Sequence, residues 1–403
     1  MKGITKMKKY KRIFVIVCDS MGIGAEPDAE LYGDAGSNTI VHIADHMGGL
    51  NIPTMNALGI GELAAIKGTS KVEHPHAYCT TLREASNGKD TMTGHWEMMG
   101  ILTTKPFKTF TDTGFPKVLI DELEEKFGRK IIGNRAESGT KILEELGEQQ
   151  CRDGSLIVYT SADSVLQIAA HEKYVPLEEL YRDCEIAREI CNRPEYRLGR
   201  IIARPYLGTD HTNFKRTPNR RDYALSPTGR TAMDDLMDNE YATLCVGKIG
   251  NIFNFAGVSK SIHTISDKNG MDITTDILKN DDFTGLCFVN LVEFDSEYGH
   301  RRNVEGYGHH IEDFDKMLKT FLDGMKDDDL VIITADHGND PTWVGTDHTR
   351  ERVPFLAYSP SINNGKKLDE RDSFADIGAT ILNNFDLIPS KNQIGKSIDE
   401  LLK

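Results

Sequence analysis

An α/β fold, with a mainly parallel sheet flanked by helices and a smaller inserted α/β unit, is predicted by three features of the sequence. Near-continuous apolar runs at 12–19, 286–295 and 330–336 read as strands buried on both faces, as parallel sheets between helix layers require. Each run closes on an aspartate. Between them, apolar residues recur at three- and four-residue steps, the period of an amphipathic helix. From about Phe107 to Leu225 the texture shifts to helices alternating with short strands, so the expected organisation is a core of 1–106 and 226–403 interrupted by an inserted cap domain of 107–225.

The first run, RIFVIVCD, places Asp19 at the carboxyl end of a strand, where open α/β sheets hold their ligands. The following Ser20-Met21-Gly22-Ile23-Gly24 has no third glycine at the required place and meets Pro27, which argues against a dinucleotide loop. Residues 33–89, rich in Gly, His, Asn and Asp, read as loops with short helical patches. In the polar segment that follows, Lys89-Asp90-Thr91 is either a turn or a hydroxyl nucleophile, which needs a base or a metal to activate it.

In the insertion, Phe115-Pro116 opens a helix ending at Gly128, and Pro176 opens another with Leu177, Leu180, Tyr181, Cys184, Ala187 and Cys191 on one face. Segments 155–160 and 200–204 read as strands. Arg200, Arg204 and the run 215–221 supply local positive charge suited to a phosphate. Beyond Arg230, a helix leads to a strand at 242–247 and a polar stretch reaching about Thr274. The run LCFVNLVEFD reads as one strand through Asp295, with His300 five residues on. A helix from about Glu305 buries a stripe containing Ile311, Phe314, Leu318 and Phe321, a strand covers 354–358, and Ser373-x-x-Asp376 reads as a capping box for a helix through Leu382.

A formal net charge of -14 opposes nucleic acid or an anionic membrane as partner, because an acidic field repels polyphosphates. Any phosphate must be met locally. Seven scattered cysteines without C-x-x-C fit free thiols in a reducing compartment. The basic start and apolar run imitate a signal peptide, but 13–18 is short for one and is closed by Asp19; a cytoplasmic protein is expected.

Three strand ends at Asp19, Asp295 and Asp336, with His300, His337 and His348, supply oxygen and nitrogen ligands without thiolate, a set suited to Mn²⁺ or Zn²⁺. Six ligands suffice for two adjacent ions, an arrangement suited to in-line displacement at phosphorus. The expected nucleophile is Thr91.

Asp19 to Gly24, Gly88 to Thr91, Gly94 to Glu97, Ser161 to Val165, Asp295 with Gly299 to Arg302, Thr334 to Asp340 and Gly345 to Thr349 together resemble the phosphopentomutase family of the alkaline phosphatase superfamily over essentially the full length. The resemblance implies an alkaline-phosphatase-like core and two Mn²⁺ per chain. It puts Asp19, Asp336 and His337 on one ion, Asp295, His300 and His348 on the other, and a phosphorylated Thr91 between them. It implies a cap whose Ser161, Val165, Arg200 and Ile202 bind substrate, with Lys248 from the core. Glu293 and Asn303 depart from the pattern; neither is an expected ligand.

The activity so implied is phosphoryl exchange between C1 and C5 of ribose or 2-deoxyribose, primed by a sugar bisphosphate such as glucose 1,6-bisphosphate. Pentose phosphates are then the partners, with no obligate protein partner. A cofactor-independent phosphoglycerate mutase shares the metal set but has a larger insertion and a serine nucleophile. A metal phosphomonoesterase and a catalytically silent metal-binding scaffold compete with it as accounts of the same residues.

Overall fold

The computed structural model of the chain describes residues 9–161 and 164–403. Ala162 and Asp163, two positions of the motif 161–165, lie outside the described residues. The chain divides into two compact units, one of residues 1–105 with 227–403 and one of Pro106–Ser226.

The first unit is built on a seven-stranded sheet in the order Lys260–Ile262, Ala242–Val246, Gly285–Leu291, Arg12–Cys18, Asp329–Thr334, Val353–Tyr358, Ala77–Leu82. The first five run parallel, and Val353–Tyr358 is antiparallel to both its neighbours. The sheet is mixed but mainly parallel. Every residue of the three central strands is buried, which is why they read as continuous apolar runs and not as alternation. Arg12 and Asp329 begin neighbouring strands and form a buried two-pronged pair at 2.7 and 2.8 Å, an arrangement that a one-residue slip in register would break.

Several elements differ from the sequence expectation. Ala77–Leu82 is an edge strand within a region read as loops, and the helix Asp267–Asn280 begins inside the stretch read as polar and runs past its end. That helix buries Met271, Ile277 and Leu278 on one face, a stripe diluted in sequence by Asp, Asn and Thr. The Gly285 strand stops at Leu291, and Asp295 lies in the π-helical turn Phe294–Gly299, not at a strand end. The last α-helix, Asp376–Asn384, has no capping box: Ser373 Oγ donates to Glu97 Oε1 and accepts from Ala375 N.

The second unit has a six-stranded sheet, with Ile131–Ala136, Leu156–Thr160, Val165–His171, Arg200–Leu207 and Lys215–Arg216 in order and Arg221–Ala224 also paired to Arg200–Leu207. One apolar cluster joins the sheet to the helices Lys117–Phe127 and Leu177–Ile190, and another to Gly139–Asp153. Pro116 and Gly128 bracket the first helix, as φ-restricted entry and left-handed exit require.

Asp183 sits fully buried on the Leu177–Ile190 helix. Its Oδ1 accepts from Arg182 Nη2 at 3.1 Å while Oδ2 has no partner. Burial pushes its carboxyl up to about 6. The folded chain therefore holds this proton more tightly than the unfolded chain, so the group's contribution is best below pH 4 and is lost as pH rises through 6. Asp183→Asn is expected to stabilise by about 1–2 kcal/mol at pH 8, after allowance for solvent screening, and to give no gain at pH 4. Urea unfolding at the two pH values measures this; an equal effect at both pH values refutes it.

Candidate metal centre

The parallel register decides which side chains meet. Val17 pairs with Thr334 and Cys18 with Leu291, so two residues beyond, Asp19 and Asp336 leave adjacent strands at the same height. Ser20 then turns with φ 72°, a left-handed conformation that brings its N–H to Asp336 Oδ1 at 3.0 Å and its hydroxyl to the Tyr307 hydroxyl at 2.9 Å.

His337 Nε2 lies 3.4 Å from both Asp19 Oδ1 and Asp336 Oδ2. Asp295 Oδ2 lies 3.1 Å from His300 Nε2 and 3.5 Å from His348 Nε2, and the two Nε2 atoms are 3.2 Å apart. Asp295, His300 and His348 thus form one ligand-sized group; Asp19, Asp295 and His337 form another, sharing Asp295. The loop carrying His348 is folded back by paired backbone bonds between Gly338 and Thr349.

Each imidazole is aimed by its other nitrogen. Nδ1 of His300 bonds Thr346 O at 2.7 Å, that of His348 bonds Lys89 O at 2.8 Å, and that of His337 bonds Gly338 O at 3.0 Å. A carbonyl can only accept, so each Nδ1 carries a hydrogen and each Nε2 faces inward, where it ligates once it is unprotonated. Asp19 Oδ1 and Asp336 Oδ2 are buried without a hydrogen-bond partner, which is costly unless a cation meets them. Carboxylate and imidazole donors so arranged fit a divalent ion.

The electrostatics agree. Burial alone pushes Asp295 up, but His348 and His300 outweigh it and hold the carboxyl well below its usual range. Burial alone lowers His337, and Asp336 with Asp19 reverses that, holding the ring well above the usual histidine value. The pocket demands positive charge.

Thr91 is the first residue of the helix Thr91–Met98, with Oγ1 3.2 Å from His337 Nε2. Asp90 caps that helix through Thr93 N at 3.0 Å. A Cβ at Gly94 would stand 2.3 Å from Asp336 O, so glycine is what lets the helix approach the strand end.

The second unit contains Ser161, whose backbone oxygen accepts from Thr111 Oγ1, and buried Val165 and Ile202 on the paired strands Val165–His171 and Arg200–Leu207. Arg200 pairs across from Val165 and lies 3.9 Å from Asp222; Lys248 is exposed beside the short helix Ile249–Ile252 of the first unit.

Sequence reasoning missed the supporting layer. Asn290 Nδ2 donates to Asp19 Oδ2 at 2.8 Å, Asn339 Nδ2 to Asp295 Oδ1 at 2.7 Å, and His95 Nδ1 lies 2.8 Å from Thr91 O and 3.2 Å from Asp336 Oδ2. The available signal was Asn290 itself, a lone amide inside an apolar strand. Asn290→Leu keeps the volume and removes that donor; divalent-ion affinity is expected to fall roughly 10–100-fold, read by metal titration of the folded variant. Unchanged affinity would leave Asn290 no part in holding Asp19.

Fold and site together are those of a metalloenzyme. The chain matches the Metalloenzyme superfamily over residues 11–389 and belongs to it. Among solved structures it is similar to the PH0037 protein from Pyrococcus horikoshii, at 14% identity and TM-score 0.48 over 96% of this chain and 100% of that one. A Leishmania mexicana phosphoglycerate mutase determined at low cobalt concentration gives 14% and 0.49 over 98% of each chain. Alkaline phosphatase from the Antarctic bacterium TAB5 gives 12% and 0.36 over 95% of this chain and 100% of that one.

Proposed function

We propose that the chain is a phosphopentomutase, interconverting (2-deoxy)ribose 1-phosphate and 5-phosphate through phosphothreonine 91 and a pentose 1,5-bisphosphate. The observation that carries this reading is the Thr91 hydroxyl 3.2 Å from His337 Nε2, at a helix N-terminus beside the ligand group of Asp19, Asp295 and His337. Unpaired N–H groups in a first helical turn favour an anion there. A threonine in Lys89-Asp90-Thr91 and a short insertion favour this over a cofactor-independent phosphoglycerate mutase.

We assign Asp19, Asp336 and His337 to one Mn²⁺ and Asp295, His300 and His348 to a second. When bound, the two ions supply charge neutralisation at the phosphoryl oxygens and acidify the threonine hydroxyl. Phosphothreonine 91 gives its phosphoryl group to the free hydroxyl of a pentose monophosphate. The Thr91 O–P bond breaks, the sugar O–P bond forms, and the sugar hydroxyl proton goes to the Thr91 oxygen. The bisphosphate reorients and returns its other phosphoryl group to Thr91, so no phosphate is consumed. A sugar bisphosphate such as glucose 1,6-bisphosphate primes the cycle.

Ser161, Val165, Arg200, Ile202 and Lys248 are proposed as substrate-binding, with the inserted unit as a cap that excludes water from the phosphothreonine. Seven free cysteines support a cytoplasmic setting, and among the described residues no helix is long and apolar enough to cross a membrane. The test is incubation of the protein and Mn²⁺ with ribose 1-phosphate and a trace of glucose 1,6-bisphosphate. Ribose 5-phosphate is the expected product; orthophosphate as main product assigns a phosphomonoesterase instead.

A further inference from the structure

A third ligand-sized group lies two strands away from Asp329–Thr334 and shares no residue with the strand-tip centre: Glu62, His74 and Cys79. Glu62 ends the short turn Ile60–Glu62, His74 lies in the loop before the strand Ala77–Leu82, and Cys79 is inside that strand. His74 Nε2 is 3.1 Å from Glu62 Oε1 and 3.9 Å from Cys79 Sγ, with His74 and Cys79 buried.

His74 Nδ1 is bonded to Ala77 O at 2.9 Å, so the ring hydrogen is committed there. Nε2 then faces a carboxylate oxygen and the Cys79 sulfur, so three ligand atoms surround one point. A divalent cation there would take the place of the thiol hydrogen. Gly59, with φ +97°, borders the group: an added Cβ would stand 2.8 Å from Cys79 Sγ and 3.0 Å from His74 Nε2, so a side chain at 59 would close it. Lys367 Nζ donates to Glu62 O at 2.6 Å and anchors the turn.

We propose that Glu62, His74 and Cys79 form a separate zinc site, with the side next to Gly59 left for a water as fourth ligand. One sulfur, one imidazole nitrogen and one carboxylate oxygen select zinc over manganese. Tetrahedral zinc with ordinary bond lengths sets N···O and N···S edges of about 3.3 and 3.6 Å, within a few tenths of those present. Burial pushes the Cys79 thiol up to about 12, so binding releases a proton and tightens as pH rises. The ion ties the turn and the loop to the edge strand.

The strand-tip centre contains no sulfur, which gives a readout independent of activity. The full chain is stripped with a chelator and titrated with Co²⁺, and the near-ultraviolet thiolate-to-cobalt charge-transfer band is followed. The band is expected in the parent chain, absent in Cys79→Ser, and displaced by Zn²⁺. Glu62→Gln, on a partly exposed turn, keeps the thiolate and is expected to raise the half-saturating Co²⁺ concentration roughly tenfold or more. Circular dichroism checks that both variants fold. No band in the parent chain reduces the group to a His74–Glu62 ion pair and overturns the proposal, as does a band that persists in Cys79→Ser.

Discussion

Thr91→Ala is expected to lower kcat for phosphoryl transfer by at least about a thousandfold while leaving the fold intact. The two halves of that expectation rest on different contacts. The helix Thr91–Met98 is capped by Asp90, which accepts from Thr93 N and Thr93 Oγ1, so the Thr91 hydroxyl is not what starts the helix. That hydroxyl instead meets His337 Nε2 at 3.2 Å. Its loss therefore removes the proposed phosphoryl acceptor with little structural cost, about 1 kcal/mol or less in unfolding free energy. Labelled phosphate from glucose 1,6-bisphosphate is expected on the parent chain and on Thr91→Ser, and not on Thr91→Ala. Parent-level turnover by the alanine variant would remove Thr91 from the chemistry.

What could be read from sequence followed the strength of the local signal. Asp19 and Asp336 were legible because each closely follows a fully buried strand, and a parallel register then puts them at one height. Asp295 is a sound candidate reached through a wrong local structure. Its apolar run continues past Leu291 into a π-helical turn, and hydrophobicity alone does not mark where extension gives way to a turn. The edge strand Ala77–Leu82 was hidden because its ladder partner is Val353–Tyr358, far along the chain. The supporting amides were hidden for a similar reason. Asn290 and Asn339 matter through one bond each to an aspartate 271 and 44 positions away, and no local pattern records such a partner.

Asp19→Asn is expected to reverse the sign of its effect on stability between chelator and metal. Asp19 and Asp336 are buried side by side, and Asp19 Oδ1 has no hydrogen bond. Without a cation, burial and the neighbouring Asp336 charge push the Asp19 carboxyl up, more than His337 offsets. The amide keeps its oxygen for Asn290 Nδ2 and removes one charge, so in chelator the variant is expected to be more stable than the parent by about 1 kcal/mol. With metal the order inverts. An ion that binds only the folded chain adds about 2.7 kcal/mol at a concentration one hundred times its Kd, and the variant has lost a charged ligand and gains less. Thermal unfolding of both proteins in chelator and in excess Mn²⁺ measures the crossing, with transferase activity lost in step with the metal-dependent gain. A variant less stable than the parent under both conditions would make Asp19 a structural acid, and the cation reading of this pocket would then fail at one of its most buried ligands.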